Sequence, residues 1–330
     1  MKTTAKLAAA ITLAMTGLTA NAGIYCVYDP LGAQGPAYSQ AKDFALVAKK
    51  WGVDITLKPY TDERVVTEDF KAGQCDGIAV TGLRGRQFNH FVGSIDSIGA
   101  VPTYKHLRVV IQALSTPQMA PSMINGQYEV IGIAPLGGAY IMVRDRAINS
   151  IEKAAGKKIA VLDFDKSQAK MAQQMGLQPV ASDITNLAPK FNNGQVDIIA
   201  VPAIVYKPFE LYKGLGANGA VYRFPLIQMT GMLIIRKDKW PADFGAKSRA
   251  HAVTQLDMAE ALSKKAEAGI PDKYWMELSA ADKTKYVLMM REARLSMTKD
   301  GTYDAKMMSL LKKVRCKLDA SAAECSDNVE

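Results

Sequence analysis

An eleven-residue pattern occurs twice in this chain and constrains its fold more than any other feature. Phe70-Lys71-Ala72-Gly73-Gln74-Cys75-Asp76-Gly77-Ile78-Ala79-Val80 returns as Phe191-Asn192-Asn193-Gly194-Gln195-Val196-Asp197-Ile198-Ile199-Ala200-Val201, with seven positions identical. Each copy reads as a helix stopped by glycine, a polar turn and a short apolar strand. Glycine supplies the left-handed residue that ends a helix, and an uninterrupted Ile-Ala-Val suits a strand buried on both faces. Upstream, Ser39-Gln40-Ala41-Lys42 matches Ser167-Gln168-Ala169-Lys170. The helices holding those residues close with Ala48-Lys49-Lys50-Trp51-Gly52-Val53 and Ala172-Gln173-Gln174-Met175-Gly176-Leu177. A strand–helix–strand–helix–strand unit is therefore used twice, and two such units leave a cleft between them. Both copies lying in one sheet with no groove dividing them would contradict that reading.

The first residues read as an export signal. Lys2 and Lys6 precede an apolar run from Leu7 to Leu18, and Ala20-Asn21-Ala22 gives the small-x-small cleavage pattern. Cleavage after Ala22 leaves 308 residues, enough for two lobes with their own cores, and lowers the net charge from +9 to +7. The surplus Lys and Arg are scattered along helices without aromatic interleaving, so nucleic acid is not an expected partner. Four cysteines in an exported chain suggest two disulfides. Three pairings are possible. The closeness of Cys316 to Cys325 favours a local staple there, leaving Cys26 with Cys75, which adjacent parallel strands can bring together.

Strands are expected at Ile24–Tyr28, Val53–Leu57, Gly77–Val80, Leu107–Ala113, Tyr128–Ile133, Ala139–Val143, Lys158–Leu162 and in two runs within Tyr222–Ile235. Helices are expected near Ala37–Trp51, Glu63–Ala72, Ile148–Ala155, Lys166–Met175, Ala203–Leu215, Ala246–Ala268, from Ser279 to about Met297, and Tyr303–Val314. Alternating strands and helices followed by helices alone give an α/β chain of two lobes with mixed sheets and an α-helical C-terminal region. The lobes are expected at 23–135, with part of 225–330, and at 136–224. The helices of 245–330 should pack on both.

Ligands of open parallel sheets sit outside the carboxyl ends of the strands. That rule selects Tyr28, Asp29 and Gln34 on a Gly/Pro-rich loop, and Thr81, Arg84 and Arg86 on a second loop. It also selects Asp163 and Asp165, and the segment from Val201 to Tyr206. Tyr140, on the strand at 139–143, and Arg144 just after it are further candidates. The loop Gly32-Ala33-Gln34-Gly35 opens a helix and is a natural anion site, though it has neither P-loop nor G-x-G-x-x-G spacing. Paired guanidinium groups suit a grip on carboxylate or phosphate. Asp163 or Asp165 could cap the next helix. The three histidines lack metal-ligand spacing, and neither G-x-S-x-G nor H-E-x-x-H occurs. No enzyme activity, metal or cofactor is expected.

The stretch GKKIAVLDFDKSQAKM, with FNNGQVDIIAVP after it, resembles the central segment of the solute-binding subunits of TRAP transporters. GLRGRQF, ELYKGLG, IIRKDKWP and PDKYWMEL are similar to the narrower AdeT group of exported solute-binding proteins. Members of that group have been labelled RND-type efflux components associated with aminoglycoside resistance. The resemblance implies a two-lobed periplasmic binding protein of type II, which closes on a small organic ligand and hands it to a membrane permease. Efflux-pump components are the alternative partners. The ligand it implies is anionic or zwitterionic. The family's carboxylate-gripping arginine lies in a KiRvp strand, and Ala160 stands at that position here. Arg84, Arg86 or Arg144 would have to replace the grip, or the ligand is of another class.

Overall fold

A computed structural model of the chain describes residues 21–327, 329 and 330. The expected leader falls outside the described residues except for Asn21 and Ala22, which begin the first strand. Among the described residues ten strands occur in chain order: β1 Asn21–Tyr28, β2 Val53–Tyr60, β3 Gly77–Thr81, β4 Ile124–Asn125, β5 Tyr128–Val143, β6 Lys158–Leu162, β7 Gln178–Ser182, β8 Ile198–Pro202, β9 Ala220–Arg236 and β10 Trp275–Met276. The main path of the sheet is β2-β1-β3-β9-β5-β8-β6-β7. From either edge inward, the order is a unit's second strand, its first, its third, then a long crossover strand. β2, β1 and β3 are mutually parallel, as are β7, β6 and β8. The crossover strands run antiparallel to their neighbours. The duplicated unit is thus laid out twice about a central pair. The two copies share one connected sheet, but β9 and β5 stand between them.

The repeated motif is a joint, built the same way in both halves. Gly73 (φ +79) and Gly194 (φ +75) take the left-handed conformation that stops their helices. The carboxylate of Asp76 accepts the amide of Ile24 at 2.8 Å, and that of Asp197 accepts the amide of Lys158 at 2.9 Å. Each aspartate therefore ties its unit's third strand to the first. An arginine at the end of each crossover strand then closes the helix. Arg236 Nη2 donates to the carbonyls of Phe70 (2.6 Å) and Lys71 (2.9 Å), and Arg144 Nη1 to those of Phe191 (2.6 Å) and Asn192 (3.3 Å). The last carbonyls of a helix have no intrahelical partner and carry partial negative charge, so a cation satisfies them in both respects. Phe70 and Phe191, fully buried, seat the two helices in the core. Cys26 is bonded to Cys75 and Cys316 to Cys325.

Several expected elements differ in extent or kind. Leu107–Ala113 is not a strand but part of a helix, Tyr104–Leu114, capped by Thr103. Its β-branched Val109-Val110-Ile111 suggests a strand, yet Leu107, Val110, Ile111 and Leu114 fall on one helical face and all are buried. The two runs at 128–133 and 139–143 are one strand, β5, and those within 222–235 are one strand, β9. Their mutual register shifts four times, including at Pro135/Gly137 and at Ala139/Tyr140. Bulges let a strand carry Pro and bend as it passes from one half to the other. The helix expected at 148–155 shrinks to Ile151–Ala154, and that at 203–215 to a 3-10 turn at Ala203–Val205 and a helix at Tyr212–Leu215. The C-terminal region is helical as expected: Phe244–Thr254, Leu256–Ala268, Ala280–Lys299 and Ala305–Leu318. Arg249 pairs with Glu129 of β5 at 2.6 Å, and Arg294 and Arg315 donate to the carbonyls of Ile98 and Ala100. Lys285 reaches Glu152 of the other half at 2.6 Å, so the helices span both.

The joint can be tested in each half. Arg144→Met and Arg236→Met are each expected to lower the unfolding free energy by about 1–3 kcal/mol, the range for hydrogen bonds from a charged group, in denaturant melts. No loss in either would mean that the helices end without help from the crossover strands.

Candidate functional site

A cavity of about 370 Å³ opens between the two copies of the motif, at the carboxyl ends of β1, β3, β6 and β8. Thr81 lines one wall and Val201 the opposite one, while the middles of β5 and β9 form the floor through Leu136, Leu226 and Met229. The helices of 244–268 add Ala252, Met258 and Leu262. A groove therefore does divide the repeated strands, although their sheet is continuous.

The structure sorts the eleven sequence-selected residues into three groups. Tyr28, Asp29, Thr81 and Asp165 line the cavity. Arg84 and Arg86 stand behind its wall and reach across to the second half. The Arg84 guanidinium lies 3.4 Å from the centre of the Phe164 ring, and Arg86 Nη1 is 3.5 Å from Asp165. The remaining five are elsewhere. Gln34 and Asp163 are exposed, Tyr206 is buried beside Tyr212, and Arg144 is the helix cap already described. Burial pushes the Tyr206 phenol up to about 12. Tyr140 donates to Glu267 at 2.8 Å on the edge of a second pocket, of about 340 Å³, with Arg223 and Trp275.

The positions best suited to anions are already filled from within the chain. Asp29 accepts the amides of Leu31, Ala37 and Tyr38 at 2.9, 2.8 and 3.2 Å, placing its carboxylate over the start of helix Pro36–Lys50. A Cβ on Gly35 would lie 1.8 Å from that carboxylate, so only glycine permits the turn. Asp165 does the same for helix Lys166–Gln174, accepting Ser167 N at 3.1 Å and Ser167 Oγ at 2.5 Å. The guanidinium groups are balanced too. Arg84 faces the buried Glu63 at 3.7 Å, and Arg86 faces Asp165. Burial raises the Glu63 carboxyl, while the amide and hydroxyl of Thr81 and the charge of Arg84 draw it back. Burial likewise holds the Tyr28 phenol far above its usual range, with the charge of Glu63 adding to the effect.

Asp96, Gln168 and Tyr303 are among the cavity residues outside the sequence-derived set. Asp96 is buried and accepts the hydroxyl of Thr230 at 2.7 Å and its amide at 3.1 Å. Gln168 belongs to the duplicated Ser-Gln-Ala-Lys and donates to Asp165 at 3.3 Å. Tyr303, from the C-terminal region, packs 5.2 Å from the Arg86 guanidinium. The repeat offered a signal for Gln168. Asp96 and Tyr303 sit in segments without strand-end geometry, and no local pattern marks them. Among the described residues, no three His, Cys, Asp or Glu side chains gather as a metal ion would require.

Residues 45–330 match the family model described as "Solute-binding protein AdeT 1/2". The chain belongs to this AdeT family. It is 50% identical over 304 residues to the probable solute-binding protein AdeT1 of Acinetobacter baumannii, covering 92% of this chain and 100% of that one. It is 30% identical over 234 residues to the probable solute-binding protein AdeT2 of the same organism, covering 71% and 98%. Among solved structures, the fold matches a TRAP periplasmic solute-binding protein of Desulfovibrio salexigens with bound orotic acid (TM-score 0.75, 14% identity, 90% of this chain and 99% of that one). It also matches one of Haemophilus influenzae with bound L-gulonate (TM-score 0.74, 12% identity, 89% and 99%). At such identities the likeness shows the fold. Family and fold are those of solute-binding proteins, which are not enzymes. In this AdeT-family chain, Ala160 is buried on β6 and lines the cavity.

Asp96 gives the cleft a pH dependence. Burial raises its carboxyl from 3.8 to about 7, against the hydrogen bonds from Thr230 and the charge of Arg86, while Asp165 adds to the rise. Between those values the folded chain holds a proton that the unfolded chain releases. The stability from this group is full below about 4 and lost as pH rises through about 7. Relative to Asp96→Asn, the wild type should lose up to about 1.4 kcal/mol per pH unit between about pH 5 and 7 in denaturant melts. Parallel profiles for the two proteins would mean that Asp96 is ionised throughout.

Proposed function

We propose that this chain is an exported periplasmic solute-binding protein that captures a small organic molecule in the interlobe cleft and delivers it to a membrane permease of the TRAP type. The lobes are residues 23–135, completed by parts of 225–330, and 136–224. The observation that carries the reading is the cavity at the strand ends of two copies of one strand–helix unit, joined through bulged crossover strands. The boundary at 135/136 coincides with the irregularity at Pro135/Gly137. Bulges are where such a pair of strands can bend with least loss of hydrogen bonding.

Arg84 over Phe164 and Arg86 beside Asp165 hold the two walls together. These contacts belong to the closed form, and a ligand that fits only the closed cleft shifts the population toward it. The family membership and the named ligands of the structural neighbours, orotic acid and L-gulonate, support small-molecule capture. A role as accessory to an efflux assembly would call for a sealed or unlined cleft, and the lined cavity does not favour it. No described helix is long and apolar enough to cross a membrane, so a transport role requires a separate permease.

Native mass spectrometry of freshly purified protein is expected to show a retained small molecule that denaturation releases. Arg84→Ala, which removes the stack on Phe164, should lower the retained fraction about 2- to 30-fold, the range for a cation–π contact of roughly 0.5–2 kcal/mol. Unaltered retention in that variant would mean that the contact across the cleft takes no part in closure. Retention of nothing by the wild type would count against capture.

A further inference from the structure

The cavity between the two copies of the motif has a charge pattern that selects among ligand classes. Not one Lys or Arg lines it, among the described residues, whereas Asp29, Asp43, Asp96 and Asp165 do. The nearest guanidinium groups are matched by carboxylates: Arg84 by Glu63, and Arg86 by Asp165, with Asp96 also within its field. Arg84 Nε and Arg86 Nη2 lack hydrogen-bond partners, but both atoms are buried and shut off from the cavity. The two helix starts that could have held an anion are occupied by Asp29 and Asp165. A carboxylate entering this space would lose its water and meet these carboxylates with no Lys or Arg beside it, an arrangement that burial heavily penalises.

The wall offers apolar contact in place of charge. Ala160 and Leu162 of β6, Leu226 and Met229 of β9, and Leu136 of β5 present hydrocarbon and thioether to the same space. The mouth is apolar as well. Leu31 is 47% exposed, Met258 44% and Leu262 36%, and all three border this one opening. Single exposed hydrophobic residues are ordinary, but their convergence on a cavity entrance marks a path for an apolar molecule.

We propose that the cleft takes an uncharged, predominantly apolar organic molecule, with alkyl or aromatic carbon filling the space, and discriminates against carboxylates. This rests on the solute-capture reading above and revises the expectation of an anionic or zwitterionic ligand. Methionine at the floor, which adapts its shape readily, fits a site that accepts several apolar outlines.

The test uses the full chain, stripped of retained molecules by denaturation and refolding with its disulfides intact. The uncharged fluorophore N-phenyl-1-naphthylamine is titrated in, then displaced by 1-decanol or by decanoate at about pH 8. These two competitors share a chain length and differ in charge. Decanol is expected to compete at least about tenfold more tightly, which corresponds to roughly 1.4 kcal/mol. Ala160→Arg, which places a cation on the wall, should swing the preference toward decanoate by at least about tenfold. Ala160→Leu should weaken both competitors while keeping the order, with circular dichroism confirming that each variant folds. Decanoate binding as well as or better than decanol, or a carboxylic acid as the retained molecule, overturns the apolar assignment and leaves capture standing. Binding of neither competitor nor fluorophore, with no retained mass, overturns both.

Discussion

Each half of this molecule is held by one aspartate and one arginine acting at a helix end. The aspartate ties the third strand of the unit to the first, through Asp76 and Ile24 in one half and Asp197 and Lys158 in the other. The arginine, arriving on a strand from the opposite half, covers the exposed carbonyls of the helix. The crossover strands are therefore anchored at their far ends by charge-assisted bonds and left irregular in the middle. In the proposed reading, anchored ends and a bulged centre let the halves swing about a short segment. Without those anchors, the bulges would loosen the halves instead of letting them swing.

Everything placed at the cleft follows from where that arrangement leaves the strand ends. Both first strands run into loops that carry an aspartate, and both aspartates turn back onto the next helix. The same geometry that would make two anion sites thus neutralises them. What remains facing the gap is largely hydrocarbon from β5, β6, β8 and β9, beside a few polar side chains such as Gln168 and the buried Asp96 fastened to Thr230. Arg84 and Arg86 connect the walls mechanically, through a ring and a carboxylate of the second half.

Much of this was legible in the sequence because the repeat is short, local and governed by backbone rules. A glycine at a left-handed position, an apolar strand after it and an aspartate between them are features that a linear pattern can carry. The closeness of Cys316 to Cys325 points to a local staple and leaves Cys26 for Cys75 on a neighbouring strand, and the structure has both. Other features depend on tertiary partners. Leu107–Leu114 has strand-like composition but helical spacing, and burial of its periodic face decides the matter. Arg144 is a candidate in the sequence to replace the arginine grip that Ala160 lacks, yet the carbonyls of Phe191 and Asn192 are what it meets. Arg84 and Arg86 were found, but their counter-charges, Glu63 and Asp165, become apparent only when the halves face each other. The apolar lining is contributed by residues spread from Leu31 to Tyr303, and no single stretch announces it.

In the proposed capture, two halves move about the bulged segments of β5 and β9 to enclose a ligand. Spin labels at Ala33→Cys and Lys166→Cys, on the loop after β1 and on the helix after β6, would report that motion by pulsed electron resonance. Ligand-stripped protein should show a broad or two-peaked distance distribution that collapses to its shorter component when N-phenyl-1-naphthylamine is added. A single narrow distance, unchanged by the fluorophore at concentrations that saturate its fluorescence, would contradict the account.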